Sequence, residues 1–259
     1  MPSLPFSRAG HNLAEPFFFS ASAIFAFQVH PLSDINVAQI FIDLSVLLFS
    51  LTVHEMAHAW TADRAGDPTA RLLGRVSLNP IVHADLIGTI VFPLIAMLSG
   101  APLIGWAKPV PVNTRSLRSP RRDYVLIAAA GPASNLVLAV AAAGPASNLV
   151  LAVAAAIGLM LLPVSPQTLG EANVSVPIAR ILSQLVQLNV LLAVFNMVPI
   201  PPLDGGNVLA GLLPRSAASV FNQIRPYGFV LLYALILSNG FRLIVVPPYE
   251  FILSWLPTH

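Results

Sequence analysis

The sequence predicts an all-α polytopic membrane protein, a bundle of about 4–6 transmembrane or re-entrant helices joined by short loop or strand connections. Composition is the first reason: hydrophobic residues make up 56% of the 259-residue chain and charged residues only 9%, against roughly 25% charged in ordinary globular proteins. The mean hydropathy of +0.78 agrees. The second reason is that the apolar residues gather into long runs, Ile35 to Trp60, Leu86 to Ile104, Tyr124 to Leu162, Ile178 to Val198 and Tyr227 to Val246, the last with an extension toward Trp255. The third is the uneven sharing of basic residues among the connections. Arg64, Arg71 and Arg75 lie in the first, Lys108, Arg115, Arg118, Arg121 and Arg122 in the second, and Pro163 to Pro177 has none. The positive-inside rule then makes the first two connections cytoplasmic and the third external, with Arg215 and Arg225 inside.

The same figures exclude other classes. A formal net charge of +2 with no basic block gives nucleic-acid binding no support. With no cysteine, disulfides and thiolate metal sites are both absent, so any metal must use His, Asp or Glu. The length leaves room for an N-terminal extension, residues 1–33, and one membrane domain, residues 34–259. Within the extension, Phe17 to Val29 is apolar but short for a span, and reads as an interfacial or loosely packed segment.

The run Ile35 to Trp60 has the length of a bilayer core and carries His54-Glu55-Met56-Ala57-His58 near its end. On a helix, histidines at i and i+4 share one face, close enough to bind a single Zn²⁺, with the intervening glutamate beside the open coordination position. Zinc lowers the pKa of bound water toward about 7, and Glu55 is placed to take that proton and deliver it to a leaving amine. Asp43, eleven residues earlier, lies about 16 Å away along the helix. That removes it from the ligand set and leaves it a partner inside the bundle or near the outer interface.

Leu86 to Ile104 presents a conflict, because a single crossing there would carry the five-charge connection to the wrong side. Pro93 and Gly100 interrupt it, and non-helical backbone at membrane depth is tolerated where protein or a water-filled cavity covers it. The segment is expected to re-enter or to lie along the active site without crossing.

The best third ligand lies in Asn196-Met197-Val198-Pro199-Ile200-Pro201-Pro202-Leu203-Asp204-Gly205-Gly206, where Asp204 closes a long apolar run. An ionisable residue at such a place is a functional candidate, and the prolines before it and glycines after it allow a turn that swings the carboxylate toward the histidines. Asn135 or Asn148, and Asn196, are candidates to steady the substrate or the oxyanion. Asn196 has an alternative role in joining helices by an amide hydrogen bond. His83 and Asp85 are candidates for groups that support the ligands, or for loop residues with local hydrogen bonds, and His83 is the next candidate ligand after Asp204.

The chain resembles the site-2 protease family of intramembrane zinc metalloproteases. The likeness rests on His54, Glu55 and His58, on Asn196, and on the Pro-Pro-Leu-Asp-Gly-Gly that ends at Gly206. Gly66-Asp67-Pro68-Thr69-Ala70, Leu78-Asn79-Pro80, the stretch from Gly105 to Asn113 and Ala130-Gly131-Pro132 resemble a compact bacterial branch without a PDZ domain. The resemblance covers about Leu44 to Gly228 and implies one Zn²⁺ held by His54, His58 and Asp204, with Glu55 as catalytic base. It also implies a multi-pass protein of the cell membrane that cleaves transmembrane protein segments near the cytoplasmic side. Two other classes fit less well. A catalytically silent zinc-binding adaptor could dispense with Glu55, and a metal transporter would spread its ionisable residues along a path.

Residues Ala128 to Val140 read AAAGPASNLVLAV, and Ala141 to Val153 repeat the same letters. Such a tandem unit is shorter than those of repeat folds and points to a duplication of coding sequence. As one helix, Tyr124 to Leu162 would be 39 residues, about 58 Å, nearly twice a hydrocarbon core of about 30 Å. Only one copy can serve a site, because thirteen residues turn the second asparagine about 140° around the helix. The arrangements open to the chain are a kinked over-long helix, which is preferred, and a hairpin broken at Gly144-Pro145. Deleting Ala141 to Val153 is expected to preserve or raise protease activity and thermal stability in detergent, and loss of membrane insertion on deletion would show that both copies are required.

Overall fold

A run of Val, Ile, Leu and Phe unbroken by proline forms one long helix, α1 (Val37–Ala65). The computed structural model describes residues 24–25, 37–99, 103–144, 175–238 and 240–256. At 1.5 Å per residue, the 29 residues of α1 extend about 43 Å. Asp43 is buried within the bundle and accepts a 2.6 Å hydrogen bond from Gln184 Nε2, so its partner is inside the protein.

The connection after α1 is tied down by a buried carboxylate. Asp67 accepts from Thr69 N at 3.1 Å and from Asn113 N at 2.6 Å, which joins the two arginine-bearing connections. The short helices α2 (Thr69–Leu72) and α3 (Pro80–His83) follow, the latter capped by Asn79. Asp85 then accepts from Ile87 N and Gly88 N at 3.1 and 2.8 Å. It thereby starts a segment of wide, π-type turns, Leu86–Val91, that continues as α4 (Phe92–Ser99). The short strand β2 (Leu103–Ile104) pairs antiparallel with β1 (Ile24–Phe25), and the rest of the Phe17 to Val29 stretch lies outside the described residues.

The chain then comes back to where it left. Trp106 N donates to Gly88 O at 3.0 Å and Lys108 N to His83 O at 2.8 Å, while Thr89 Oγ1 donates to Trp106 O at 2.8 Å. The two ends of Leu86 to Ile104 therefore lie side by side, and the segment between them is termed the strap.

Helix α5 (Pro120–Ala143) starts with proline at its first position, where the missing N–H costs nothing. It contains only the first full copy of the tandem sequence. The expected helix toward Leu162 is interrupted here: α5 ends at Ala143 and Gly144 is extended, with φ −80° and ψ 151°. The cause is steric, since the ring of Pro145 disfavours helical backbone in the residue before it. From Pro145 to residue 174 the chain, with Asn148, lies outside the described residues.

Helix α6 (Ser175–Asn196) runs to the proline turn, after which come α7 (Asp204–Leu212), α8 (Arg215–Ile224), α9 (Gly228–Leu237), α10 (Gly240–Ile244) and α11 (Val246–Trp255). The apolar run Tyr227 to Val246 is thus divided at Ser238. Among the described residues three helical stretches are long and apolar enough to cross a membrane, Ile40–Ala65, Pro120–Ala143 and Arg215–Leu237.

The core lies where α1, α5 and α6 meet. Val46, Leu47 and Leu51 of α1 pack with Leu188 and Leu192 of α6, with Ala96 of the strap and with Ala107 just after it. Ala139, Ala142 and Ala143 of α5 pack on Leu182, Val186 and Val190 of α6. Small residues on α5 let the backbones approach closely, as in membrane helix packing.

The strap has a direct test, because the chain has no cysteine of its own. Single cysteines at Leu78 and Ser116, before and after the strap, are expected to react with an impermeant thiol reagent from the same face of sealed vesicles. Reaction from opposite faces would show that the segment crosses.

Candidate metal centre

The i, i+4 spacing on α1 brings His54 and His58 together with ring centroids 4.7 Å apart and their planes nearly perpendicular. Their Nε2 atoms are 3.1 Å from each other, and Asp204 Oδ2 lies 3.1 Å from His54 Nε2 and 3.3 Å from His58 Nε2. All three side chains are buried. The opposite ring nitrogens are engaged, His54 Nδ1 by Asn135 Oδ1 and His58 Nδ1 by the Ile127 carbonyl at 2.6 Å. Both Nδ1 atoms must therefore carry the proton, and each Nε2 presents a lone pair. Two lone pairs and a carboxylate oxygen converging in a dry site repel one another unless a cation sits among them. The spacing fits Zn²⁺, since tetrahedral bonds of 2.0–2.1 Å put neighbouring ligand atoms about 3.3 Å apart. His54, His58 and Asp204 can hold one metal ion.

Asp204 reaches the histidines because the chain reverses between α6 and α7. The prolines at 199, 201 and 202 end the helical run, and at Gly205 a Cβ would overlap the Met197 carbonyl and come within 2.6 Å of the Val198 oxygen. Only glycine lets the turn close this far.

Glu55 is fully buried next to this cluster on α1. Its charge acts on Arg75 and His83, both buried in the connections around the strap. His83 is not among the clustered ligand atoms. Its Nε2–H donates to Ser77 O at 2.8 Å, its buried Nδ1 has no hydrogen-bond partner among the described residues, and burial pushes the imidazole below its ordinary value. The ring is therefore neutral near pH 7. Arg75 donates to the Val82 carbonyl. Asp85 is occupied as the cap of the strap.

The asparagines divide. Asn196 is buried, its Nδ2 donates to Leu192 O at 3.0 Å, and its Oδ1 has no hydrogen-bond partner among the described residues. Asn135 of the first tandem copy sits behind His54 with its Oδ1 on the ring and its Nδ2 donating to Asn189 Oδ1 at 2.7 Å. Asn189 and Ser50, both fully buried at this place, were not singled out by the sequence. A signal did exist, since Ser50 is four residues before His54 and Asn189 seven before Asn196, so each shares the helix face of a recognised site residue.

Gly131 sits against the metal side of both histidines. A Cβ there would lie 2.5 Å from His54 Nε2 and as close to His58 Nε2, so α5 passes with no room for a side chain.

A helix-borne His-Glu-x-x-His pair completed by a carboxylate on a separate element defines a metallopeptidase centre. The chain belongs to peptidase family M50, the site-2 proteases, whose model matches residues 43–238. It is a zinc metalloprotease of that type. It is similar to the Bacillus subtilis protein named "Putative zinc metalloprotease YwhC", 37% identical over 192 residues that cover 74% of this chain and 78% of that protein. The proteins named "Putative zinc metalloprotease Rip2" of Mycolicibacterium smegmatis and Mycobacterium tuberculosis are 28% and 30% identical. These two alignments cover 81% and 74% of this chain, and 71% and 64% of the respective relatives. No solved structure matches the chain.

Gly131→Ala is expected to abolish stoichiometric zinc in the purified protein although no ligand is changed, because the new methyl occupies the approach to both Nε2 atoms. Full zinc content in the alanine variant, measured by elemental analysis, would show that α5 can move away.

Proposed function

We propose that residues 34–259 form an intramembrane endopeptidase, multi-pass in the cell membrane, that hydrolyses peptide bonds in or near transmembrane segments of other proteins, with its centre near the cytoplasmic side. The observation that carries this reading is the buried cluster of His54, His58 and Asp204 beside Glu55, set among helices whose outward residues are apolar. Phe41, Phe49 and Trp60 on α1, Leu126, Val137 and Val140 on α5, and Phe229, Val230 and Leu237 on α9 are exposed. Apolar surface on this scale is suited to lipid.

In this reading His54, His58 and Asp204 are the ligands, through Nε2, Nε2 and Oδ2. Bound there, Zn²⁺ would supply an acidified water and polarise the scissile carbonyl. Glu55 takes the proton of the attacking water and passes it to the departing amide nitrogen as the C–N bond breaks. Its burial strengthens that role, because a carboxylate in a dry site loses little to solvent competition. Asn196 presents a carbonyl oxygen that has no partner among the described residues, and not an amide donor, since Nδ2 is committed to Leu192. It is therefore suited to accept a hydrogen bond from a substrate N–H and so steady an unwound peptide. His83 offers a second unpartnered acceptor in its Nδ1, close enough to respond to Glu55.

The substrate is a helix that must open locally, because helical hydrogen bonds shield the amide to be cut. Gly, Pro or Asn near the cleavage point favours that opening.

Purified protein and a model single-span substrate test the assignment. Glu55→Gln is expected to lower turnover by at least about 10²-fold while keeping zinc, whereas His54→Ala, His58→Ala and Asp204→Ala should lose both. Cleavage unchanged in the Glu55→Gln variant would sink the mechanism, and full zinc in Asp204→Ala would reassign the third ligand.

A further inference from the structure

Behind His54, away from the ligand atoms, α1, α5 and α6 enclose a set of polar side chains with no access to solvent. Ser50, Asn135 and Asn189 are each fully buried. Their hydrogen bonds form a directed series. Asn189 Nδ2 donates to the Leu185 carbonyl at 2.7 Å and to Ser50 Oγ at 2.9 Å. Asn189 Oδ1 accepts from Asn135 Nδ2 at 2.7 Å, and the same Nδ2 lies 3.4 Å from the Ser50 carbonyl. Asn135 Oδ1 faces His54 Nδ1.

The direction of this series is not arbitrary. An amide side chain can turn over and exchange its donor for its acceptor, but a backbone carbonyl only accepts. Leu185 O therefore requires the NH₂ of Asn189 on its side, which turns Asn189 Oδ1 toward Asn135. That oxygen in turn requires the NH₂ of Asn135, which turns Asn135 Oδ1 toward His54. An oxygen there accepts only from Nδ1–H, so the remaining lone pair of the ring is at Nε2, the atom that faces His58 and Asp204. We infer that Asn189, from α6, is a positioning residue for the metal centre: it holds the Asn135 amide in the one orientation that keeps His54 in its metal-binding tautomer.

Without this lock only the longer 3.4 Å contact to the Ser50 carbonyl favours the same orientation, and the Asn135 amide can turn over and donate to His54 Nδ1, which moves the ring proton to Nε2 and blocks coordination. His58 needs no such device, because its Nδ1 meets the Ile127 carbonyl directly and a carbonyl cannot turn over. Groups that orient a metal-bound histidine through its second nitrogen typically carry 10- to 100-fold of metal affinity.

The inference rests on the zinc reading, and the test separates the two. Zinc affinity is measured by competition with a chromogenic chelator, alongside the thermal stability of the metal-free protein. Asn189→Leu keeps the volume and removes the acceptor that orients Asn135, and a loss of about 10- to 100-fold in zinc affinity is expected. Asn189→Asp keeps an oxygen toward Asn135 Nδ2 while giving up the amide donors, and its affinity should stay within about 3-fold of wild type however much stability it loses. A residue that only packs helices would show the two variants ranked alike in both measurements. Leucine and aspartate variants with equal affinity would overturn the inference, as would a leucine variant that binds zinc as wild type does. Should the leucine variant not fold, Asn189→Ala, which also removes the acceptor toward Asn135, carries the test. A severalfold loss of zinc affinity is then expected, and no change would overturn the inference. Failure of the wild-type protein to bind zinc at all would instead remove the zinc reading itself.

Discussion

Two imidazole nitrogens and a carboxylate oxygen held 3.1–3.3 Å apart are acceptors that repel each other in a dry interior, and the rest of the molecule is arranged to keep them there. The helix period alone supplies the histidine pair. The carboxylate has to be carried in from a different helix, by a turn so tight that Gly205 lies against the Met197 carbonyl. Behind the rings, helix α5 supplies the oxygen atoms of Asn135 and Ile127 that settle where the ring protons lie. A local motif, a proline-broken turn and a third helix therefore share one task, and none of them can relax independently of the others.

The distribution of polarity follows from that task. Asp43, His54, Glu55, Asp67, Asn135, Asn189, Asn196 and Asp204 are buried, while Phe, Leu and Val of the same helices are exposed. In an ordinary soluble protein this order is reversed. Each buried polar group costs stability unless it is paired, and most of those at the centre are paired with one another across helix boundaries. Their hydrogen bonds are thus part of what sets the register of α1, α5 and α6, alongside the packing of Leu51, Leu192 and Ala139. The strap belongs to the same economy of polar groups, since Asp85, Thr89 and the Trp106 and Gly88 backbones satisfy one another where the helix is irregular.

Much of the centre was legible in the chain because its signals are local. His54, Glu55 and His58 declare themselves by spacing, and Asp204 by being the acid at the end of an apolar run. The end of α5 was written in Gly144-Pro145 as well, but hydrophobicity that runs on to Leu162 argued for a longer helix, and local sterics prevailed. Ser50 and Asn189 escaped for a different reason. Each is one polar residue in an apolar helix, and its meaning depends on which faces of α1, α5 and α6 meet, a register that no single helix encodes. The same dependence separates Asn135 from Asn196: alike as letters, one has both amide atoms engaged and the other keeps an open oxygen.

The closeness of Gly131 to the ligand nitrogens also makes the centre one-sided. Backbone of α5 stands against that flank of the centre and closes it to water, peptide and any chelating inhibitor. An inhibitor gains contact only on the flank away from α5, and bulk added toward Gly131 meets main chain that no change of rotamer can move aside.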